Sequence, residues 1–219
     1  MRTFPQRQHG RTLPLILVGL AALIGGALLA NTLLRPPPPP ELSQGATQLQ
    51  PPRALSDFAL TDHTGAAFTL DRLRDRWTFM FFGYTHCPDI CPTTMSTLNA
   101  VAKQIGGADG TAVPQYVFVS IDPERDTPEQ LARFVPYFNP DFLGVTGDPA
   151  AINALTRQLS VLYLKVEPDR PDGYLMDHSA AILLLDPEGR FHALMSPPFD
   201  PAGMAQDFQK LADHYEATR

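Results

Sequence analysis

The sequence predicts an α/β domain, with a mixed central sheet flanked by helices, behind one N-terminal transmembrane helix. Three observations predict this class. Short apolar segments alternate with stretches of helical spacing, as in proteins whose helices cover a sheet. The last two predicted strands follow one another through a turn at residues 186–189, without a helix between them, so part of the sheet is antiparallel. A run without charged residues, 13–34, stands near the start of the chain.

The elements of the body follow from local patterns. Residues 57–60 and 67–70 alternate around a turn at 61–65 and predict a hairpin. Three apolar runs predict strands that are buried on both faces: WTFMFFG at 77–83, YVFVSI at 116–121 and AAILLL at 180–185. Helical spacing and turn residues predict helices ending near 105 and at 127–138, 149–159 and 200–215, with further strands at 143–145, 161–166 and 190–195.

Composition excludes several classes of function. The chain has 219 residues and a net charge of −6, and residues 1–40 contain four arginines and no acid, so the remainder carries 13 basic and 23 acidic residues. Such an acidic body predicts that it does not bind nucleic acid. The two cysteines are too few for a Cys₄ zinc site or an iron–sulfur cluster, but they can form one disulfide or one thiolate pair for a soft metal.

The charge-free run of residues 13–34 predicts a transmembrane helix. At about 1.5 Å per residue, a helix of this length spans the hydrocarbon core of a bilayer, which is about 30 Å thick. Arg2, Arg7 and Arg11 precede the run and predict that the N-terminus stays in the cytoplasm while the body is exported. A cleaved signal peptide is the alternative. The run is longer than the apolar core of a usual signal peptide, and no A-x-A motif ends it, which favours the anchor.

The segment after the span predicts a spacer. Residues 36–40 are an unbroken proline run, expected to form polyproline II, and the polar residues that follow predict a flexible tether. The predicted organisation is a cytoplasmic arm, a transmembrane anchor in the lipid bilayer, a Pro-rich linker and a folded body, at residues 1–12, 13–34, 35–52 and 53–219. A short arm before the span favours a bacterial inner membrane, with the body in the periplasm, over a mitochondrial inner membrane facing the intermembrane space.

The spacing of Cys87 and Cys91 is the strongest chemical signal in the sequence. Pro92 belongs in a first helical turn, which predicts that the helix begins at Pro92 with Cys91 as its cap and Cys87 in the preceding loop. A helix N-terminus stabilises thiolates, so we expect both thiols to have a lowered pKa and to act as nucleophiles or soft-metal ligands. An inert disulfide is the alternative, but a loop this short at the tip of a strand would stabilise very little.

Three motifs resemble those of the Sco/SenC family of copper chaperones. They are FGYTHCPDICP at residues 82–92, SIDPERDT at 120–127 and DHS at 177–179, and the resemblance runs over about 54–217. It implies a thioredoxin-like fold, tethered by one N-terminal span, that delivers copper to the Cu_A centre of cytochrome c oxidase, in its subunit II. By the same resemblance, Cys87, Cys91 and His178 match the copper ligands of the family.

The chemistry of these residues is consistent with copper. Two thiolates and one imidazole suit Cu(I), and Cu(II) accepts the same donors. Thioredoxin-like proteins usually carry a cis-proline where His178 stands, so the histidine favours metal binding over disulfide exchange. The polar segment before it, residues 167–177, is expected to form a mobile flap.

Three further residues are candidates for positions near the metal. Asp122 and Asp126 lie in the DPERDT motif, where Asp122 can also end a strand and either Asp126 or Thr127 can cap the next helix. Met176 offers a soft sulfur near His178, although methionine often fills gaps in a core. His86 adjoins Cys87 but is expected to point the opposite way along an extended loop.

The favoured function is a metallochaperone, not an enzyme. We expect the thiols to be redox-active and to need reduction before copper binds, so a thioredoxin-like reductant and another copper chaperone are expected partners. The alternative is a membrane-tethered thiol–disulfide oxidoreductase that acts on the Cu_A cysteines of the oxidase.

Overall fold

The computed structural model describes residues 12–33, 37–106, 113–166 and 173–219, and assigns the secondary structure within them. The strands are β1 (Ala46–Arg53), β2 (Ala59–Asp62), β3 (Ala67–Thr69), β4 (Thr78–Gly83), β5 (Gln115–Ser120), β6 (Leu143–Thr146), β7 (Tyr163–Val166), β8 (Leu175–His178), β9 (Ile182–Leu185) and β10 (Phe191–Met195). The α-helices are α1 (Thr12–Leu33), α2 (Ile90–Gly106), α3 (Pro128–Phe138), α4 (Pro149–Gln158) and α5 (Pro201–Thr218).

Eight strands form one mixed sheet, which confirms the predicted fold class. Their order is β1-β10-β9-β4-β5-β6-β2-β3. The central strand β4 runs parallel to β5 and antiparallel to β9, and β5 runs parallel to β6. All six residues of β4 are buried, as its continuous apolar sequence predicts. Because parallel strands end at the same edge of a sheet, the loops that follow β4 and β5 meet there.

The hairpin and the cap of α3 follow the predicted local chemistry, and α4 has a similar cap. Strands β2 and β3 pair antiparallel around the turn that the sequence indicates. Thr127 caps α3, since its side chain accepts a hydrogen bond from the backbone N–H of Gln130, and Pro128 occupies the first turn. Asp148 caps α4 in the same way, accepting from Ala150.

Strand β1 lies in a segment that the sequence predicts to be a flexible tether. It pairs antiparallel with β10 at the edge of the sheet, with a register shift between Gln48 and Arg53. Most of its side chains are partly or fully exposed, so it lacks the apolar alternation that identifies a strand. An edge strand tolerates its two prolines, because one side of the strand has no ladder to complete. The tether is therefore shorter than predicted, and residues 46–53 belong to the sheet.

Strands β7 and β8 form a separate two-stranded hairpin. Their register pairs Tyr163 with His178 and Lys165 with Met176. The sequence predicts a flap over 167–177. Residues 167–172 lie outside the described part of the chain. The last residues of the predicted flap, 175–177, belong instead to the paired strand β8, so the prediction of a mobile flap is wrong for them. Its sequence, LMDH, gives no alternating pattern long enough to identify a strand.

Helix α1 is the element that the sequence predicts to cross a membrane. Its segment Pro14–Thr32 is long and apolar enough to do so, by length and composition alone, and no other helix in the described ranges is. Its side chains are exposed, unlike those of a core helix in a soluble protein. The chain divides into two compact units, and Glu41–Ala212 is the larger.

Candidate metal centre

Both cysteines lie at the junction between β4 and α2. Cys87 is in the connecting loop, and Cys91 is in the first turn of α2, which begins at Ile90. The prediction that the helix begins at Pro92 is therefore wrong by two residues. Pro92 fits inside the first turn because the first N–H groups of a helix have no partner within it. One of these groups, the backbone N–H of Cys91, donates to Cys87 Sγ at 3.4 Å.

Gly83, the last residue of β4, makes room for Cys91. A Cβ atom at Gly83 would lie 2.8 Å from Cys91 Sγ and 2.9 Å from Cε2 of Phe118, closer than real Cβ contacts come. The thiol thus packs directly on the strand backbone, and Cys91 is fully buried. Only glycine allows this approach without displacing the sulfur or the aromatic ring.

His178, at the end of β8, completes the cluster from a distant part of the sequence. Its Nε2 lies 3.4 Å from Cys91 Sγ, and its Nδ1 lies 3.0 Å from the carbonyl oxygen of Ser179. A carbonyl oxygen only accepts hydrogen bonds, so Nδ1 carries a proton, and Nε2 is the ring nitrogen that faces the sulfurs. The rings of Phe81 and Tyr84 approach the imidazole edge-on, at centroid distances of 5.9 and 6.2 Å.

The structure thus brings together the three residues that the sequence predicts as metal ligands. The donor atoms of Cys87, Cys91 and His178 all lie within 4.8 Å of one another. Two sulfurs and one imidazole nitrogen at this spacing suit a soft ion such as copper, and iron–sulfur or Cys₄ zinc chemistry would need more thiolates.

The two thiols are electrostatically unequal, contrary to the prediction that both have a lowered pKa. A hydrogen bond from the Cys91 thiol outweighs the effect of burial and lowers the pKa of Cys87 to about 4, with smaller contributions from His178 and from backbone N–H groups at the start of α2. The same hydrogen bond, together with burial, raises the pKa of Cys91. The helix N-terminus therefore stabilises only the outer thiolate.

Asp126 supports the loop that carries Cys87. It is fully buried, and it accepts hydrogen bonds from the backbone N–H of Thr85 at 2.9 Å, from the Thr85 hydroxyl at 2.6 Å and from the Ser120 hydroxyl at 2.6 Å. Its negative charge contributes to the raised pKa of Cys91. Asp126 is therefore near the cluster and holds its loop, while its oxygens are engaged by these three donors.

Asp122 is also buried, but its carboxylate accepts hydrogen bonds from residues outside the cluster. It accepts from Nε of Arg125 and from the hydroxyl of Tyr174. Met176 is buried on the same face of β8 as His178, and its role as a copper donor stays a prediction. His86 is half exposed and lies 3.1 Å from the Thr85 hydroxyl, outside the cluster.

Sequence reasoning missed Gly83, Tyr84 and Tyr174. Gly83 lies within the motif FGYTHCPDICP, so the motif marks its position, but only the structure shows why the residue must be small. Tyr174 has no sequence signal, since it follows a polar stretch and precedes a strand that the pattern does not identify.

The cluster lies close to the protein surface, because Cys87 and His178 are only partly buried, and His178 also lines a shallow groove of about 350 Å³. Leu162 and Leu164, on the neighbouring strand segment, are 77% and 65% exposed there. A metal held by the cluster would remain within reach of another molecule.

Comparisons with known proteins agree with this fold and site. The family model described as SCO1/SenC matches residues 46–213. Protein SCO2 homolog, mitochondrial, of Homo sapiens is 39% identical over 189 residues, which cover 85% of this chain and 70% of that protein. The copper-bound crystal structure of Arabidopsis thaliana ScoI has a TM-score of 0.70 and 35% identity, over 73% of this chain and 98% of that one. Copper-bound Bradyrhizobium japonicum ScoI has a TM-score of 0.64 and 37% identity, over 71% and 98%.

The fold and the three converging donors define a thioredoxin-like protein that presents two thiols and one imidazole beside the carboxyl end of the central strand β4. The chain belongs to the SCO1/SenC family, as the motifs predict, and its Cys-Cys-His cluster fits a copper-binding role.

The unequal thiols predict selective alkylation. Iodoacetamide at pH 6 is expected to modify Cys87 in the reduced, folded protein and to reach Cys91 only after unfolding, because Cys87 is already a thiolate and Cys91 is buried and protonated. Peptide mass spectrometry identifies the modified residue.

The pH dependence and one variant test the assignment. A thiol of ordinary pKa would react roughly 100-fold faster at pH 8 than at pH 6, whereas Cys87 should react at nearly the same rate at both. A Cys87→Ser variant should stay unmodified at pH 6 while folded. Faster modification of Cys91 than of Cys87 would contradict the assigned asymmetry.

Proposed function

We propose that this protein is a membrane-anchored copper metallochaperone that binds copper through Cys87, Cys91 and His178 and delivers it to the Cu_A site of cytochrome c oxidase during its assembly. The observation that carries the proposal is the convergence of these three donors, from two distant segments, within 4.8 Å. The copper bound in the Arabidopsis and Bradyrhizobium structures supports copper as the ion.

The donor set accounts for binding in either oxidation state. Cu(I) takes two or three soft ligands, which the two thiolates and the imidazole supply. Cu(II) accepts the same donors with an added oxygen ligand. Binding must also displace the proton of Cys91, so copper uptake releases protons.

The position of the cluster near the surface supports transfer to a partner. Ligand exchange requires the thiols of the acceptor to reach the ion before the donor releases it, and the partial exposure of Cys87 and His178 is consistent with such an approach. We expect the acceptor to be subunit II of cytochrome c oxidase, and the source of copper to be another copper chaperone.

The thiols must be reduced before copper can bind. A disulfide between Cys87 and Cys91 would take up two electrons and two protons from a thioredoxin-like dithiol, which becomes a disulfide in turn. Both cysteines are free thiols in the structure.

The N-terminal region supports attachment to a membrane. We propose that residues 1–12 lie in the cytoplasm, that 13–34 cross the bilayer, and that a Pro-rich linker leads to the copper-binding body in the periplasm of a bacterium. The exposed, apolar helix α1 and the three preceding arginines support this arrangement.

A copper titration tests the ligand set. The reduced full chain in detergent is expected to bind about one copper per chain, and His178→Ala is expected to lower the affinity about tenfold or more, since even the loss of an outer partner of a ligand often costs that much. Competition with a chromophoric Cu(I) chelator measures the affinity.

Controls separate the ligand from other histidines. His214→Ala, on α5, should bind as the wild type does, and Cys87→Ser should abolish tight binding. Copper affinity that is unchanged by His178→Ala would refute the proposed site.

Transfer can be measured directly. Cu(I)-loaded protein, mixed with the reduced copper-free soluble domain of oxidase subunit II, is expected to lose copper to that domain. The two proteins are separated and their copper contents compared. If the subunit arrives oxidised and is merely reduced at its cysteines, with no movement of copper and no effect of His178→Ala, the thiol–disulfide oxidoreductase is the better description.

Membrane attachment gives a separate prediction. In a bacterial host the full chain should sediment with membranes after a high-salt wash, and a chain that starts at residue 41 behind a cleavable signal should be soluble. Protease added to intact spheroplasts should digest the body. Mass spectrometry of the intact N-terminus would contradict the anchor if residues 1–30 were missing.

A further inference from the structure

The hairpin that carries His178 has no ladder with the main sheet. Strands β7 and β8 pair with each other, and in the described part of the chain with nothing else. At the base of the hairpin the backbone N–H of Ser179 donates to the carbonyl oxygen of Leu162 at 2.9 Å. Other contacts must therefore hold the imidazole against Cys91.

Tyr174, immediately before β8, makes the densest set of such contacts. Its hydroxyl donates to Asp122 Oδ1 at 2.6 Å and lies 3.2 Å from Glu124 Oε2. Two cations lie over its ring: the guanidinium carbon of Arg125 is 3.7 Å from the ring centroid, and Lys165 Nζ is 3.8 Å from it. A cation over an aromatic face is attracted by the ring quadrupole, and more strongly where water is excluded.

Arg125 connects this tyrosine to the body. Its Nε bonds to the buried carboxylate of Asp122, and its Nη1 donates to the carbonyl oxygen of Tyr174 at 3.1 Å. Its guanidinium also lies over the ring of Tyr84, 5.6 Å from the centroid. The side chain is only 21% exposed, so its contacts are weakly screened by solvent.

Both strands of the hairpin are tied to the loop that follows β5. Lys165, on β7, bridges to Glu124 at 3.2 Å. Tyr174, immediately before β8, bonds to Asp122 in the same loop, and Tyr84, whose ring is beside His178, lies under the guanidinium of Arg125. Tyr174 lies at the centre of this arrangement, four residues before the imidazole.

We infer that Tyr174 is a positioning residue for the metal centre. Its contacts with Asp122, Arg125 and Lys165 hold the hairpin so that His178 faces the two thiols, and they thereby set the copper affinity. The inference rests on the copper role proposed above. It gives Asp122 a role in holding the hairpin, which differs from copper ligation.

A double-mutant cycle on the full chain in detergent tests the inference. Tyr174→Ala is expected to weaken Cu(I) binding about tenfold, the range for loss of an outer partner of a ligand. In the His178→Ala background the same substitution should change affinity less than about twofold, since partners that act through one group are not additive.

Two further variants and one matched control make the test specific. Tyr174→Phe keeps the ring under both cations and should recover most of the lost affinity, and Tyr137→Ala, which removes an 85% exposed tyrosine on α3, is the matched control. Lys165→Met removes one cation from a partly exposed position, so it weakens the same cluster even if Tyr174→Ala does not fold.

Spectroscopy and exchange give readouts that a general loss of stability would not produce. Electron paramagnetic resonance of the Cu(II) form should show weaker nitrogen coupling in Tyr174→Ala while sulfur coordination persists. Hydrogen exchange in the copper-free protein should be faster in β7 and β8 and unchanged in β4 and β5.

The outcomes separate this inference from the proposed function. Wild-type affinity in both Tyr174→Ala and Lys165→Met, or an equal loss with and without His178, would overturn the positioning role and leave the copper site intact. A copper affinity that is unchanged by His178→Ala would instead refute the proposed ligand set. Hydrogen exchange then decides the role of Tyr174, because unchanged exchange in β7 and β8 would overturn that role as well.

Discussion

The contact between Cys91 Sγ and His178 Nε2, at 3.4 Å, is the constraint on which the rest of the site depends. It joins residues that are 87 positions apart. A loop of five residues can bring two thiols together by itself, but the imidazole arrives only when the sheet edge at β4 and the β7–β8 hairpin are both formed. The complete donor set thus depends on tertiary structure, because the local motif supplies only two of the three donors.

The packing of Cys91 explains why the thiols differ. Gly83 lets Cys91 pack onto the strand backbone, where burial and its hydrogen bond to Cys87 favour the protonated form. Cys87, half-buried in the loop, receives that hydrogen bond and stays ionised. Because a metal must displace the proton of Cys91, part of the binding energy is spent on deprotonation. A Cys91 that was already a thiolate would not carry this cost.

Local pattern was sufficient for the parts of the fold that depend on continuous apolar runs or on turn and cap residues. Strands β4, β5 and β9, the cap at Thr127 and the spacing of Cys87 and Cys91 are of this kind. Strand β1 could not be predicted, because its ladder is supplied by β10 and its own sequence, ATQLQPPR, does not alternate between apolar and polar residues. The raised pKa of Cys91 could not be predicted either, since a position at a helix N-terminus indicates the opposite shift. The hydrogen bond to Cys87 and the burial of Cys91 against Gly83 override that effect, and both depend on the folded structure.

A chaperone must bind its ion and also release it, and the architecture assigns these demands to different elements. The eight-stranded sheet, with Phe79, Phe81 and Phe118 in its core, fixes the two thiols. The third donor lies on a hairpin outside that sheet, held by side chains. Rearrangement of those side chains would change the number of donors from three to two without breaking any ladder of the main sheet. The affinity for copper can therefore change while the ladders of the main sheet stay intact, because β8 pairs with β7 and lies outside that sheet.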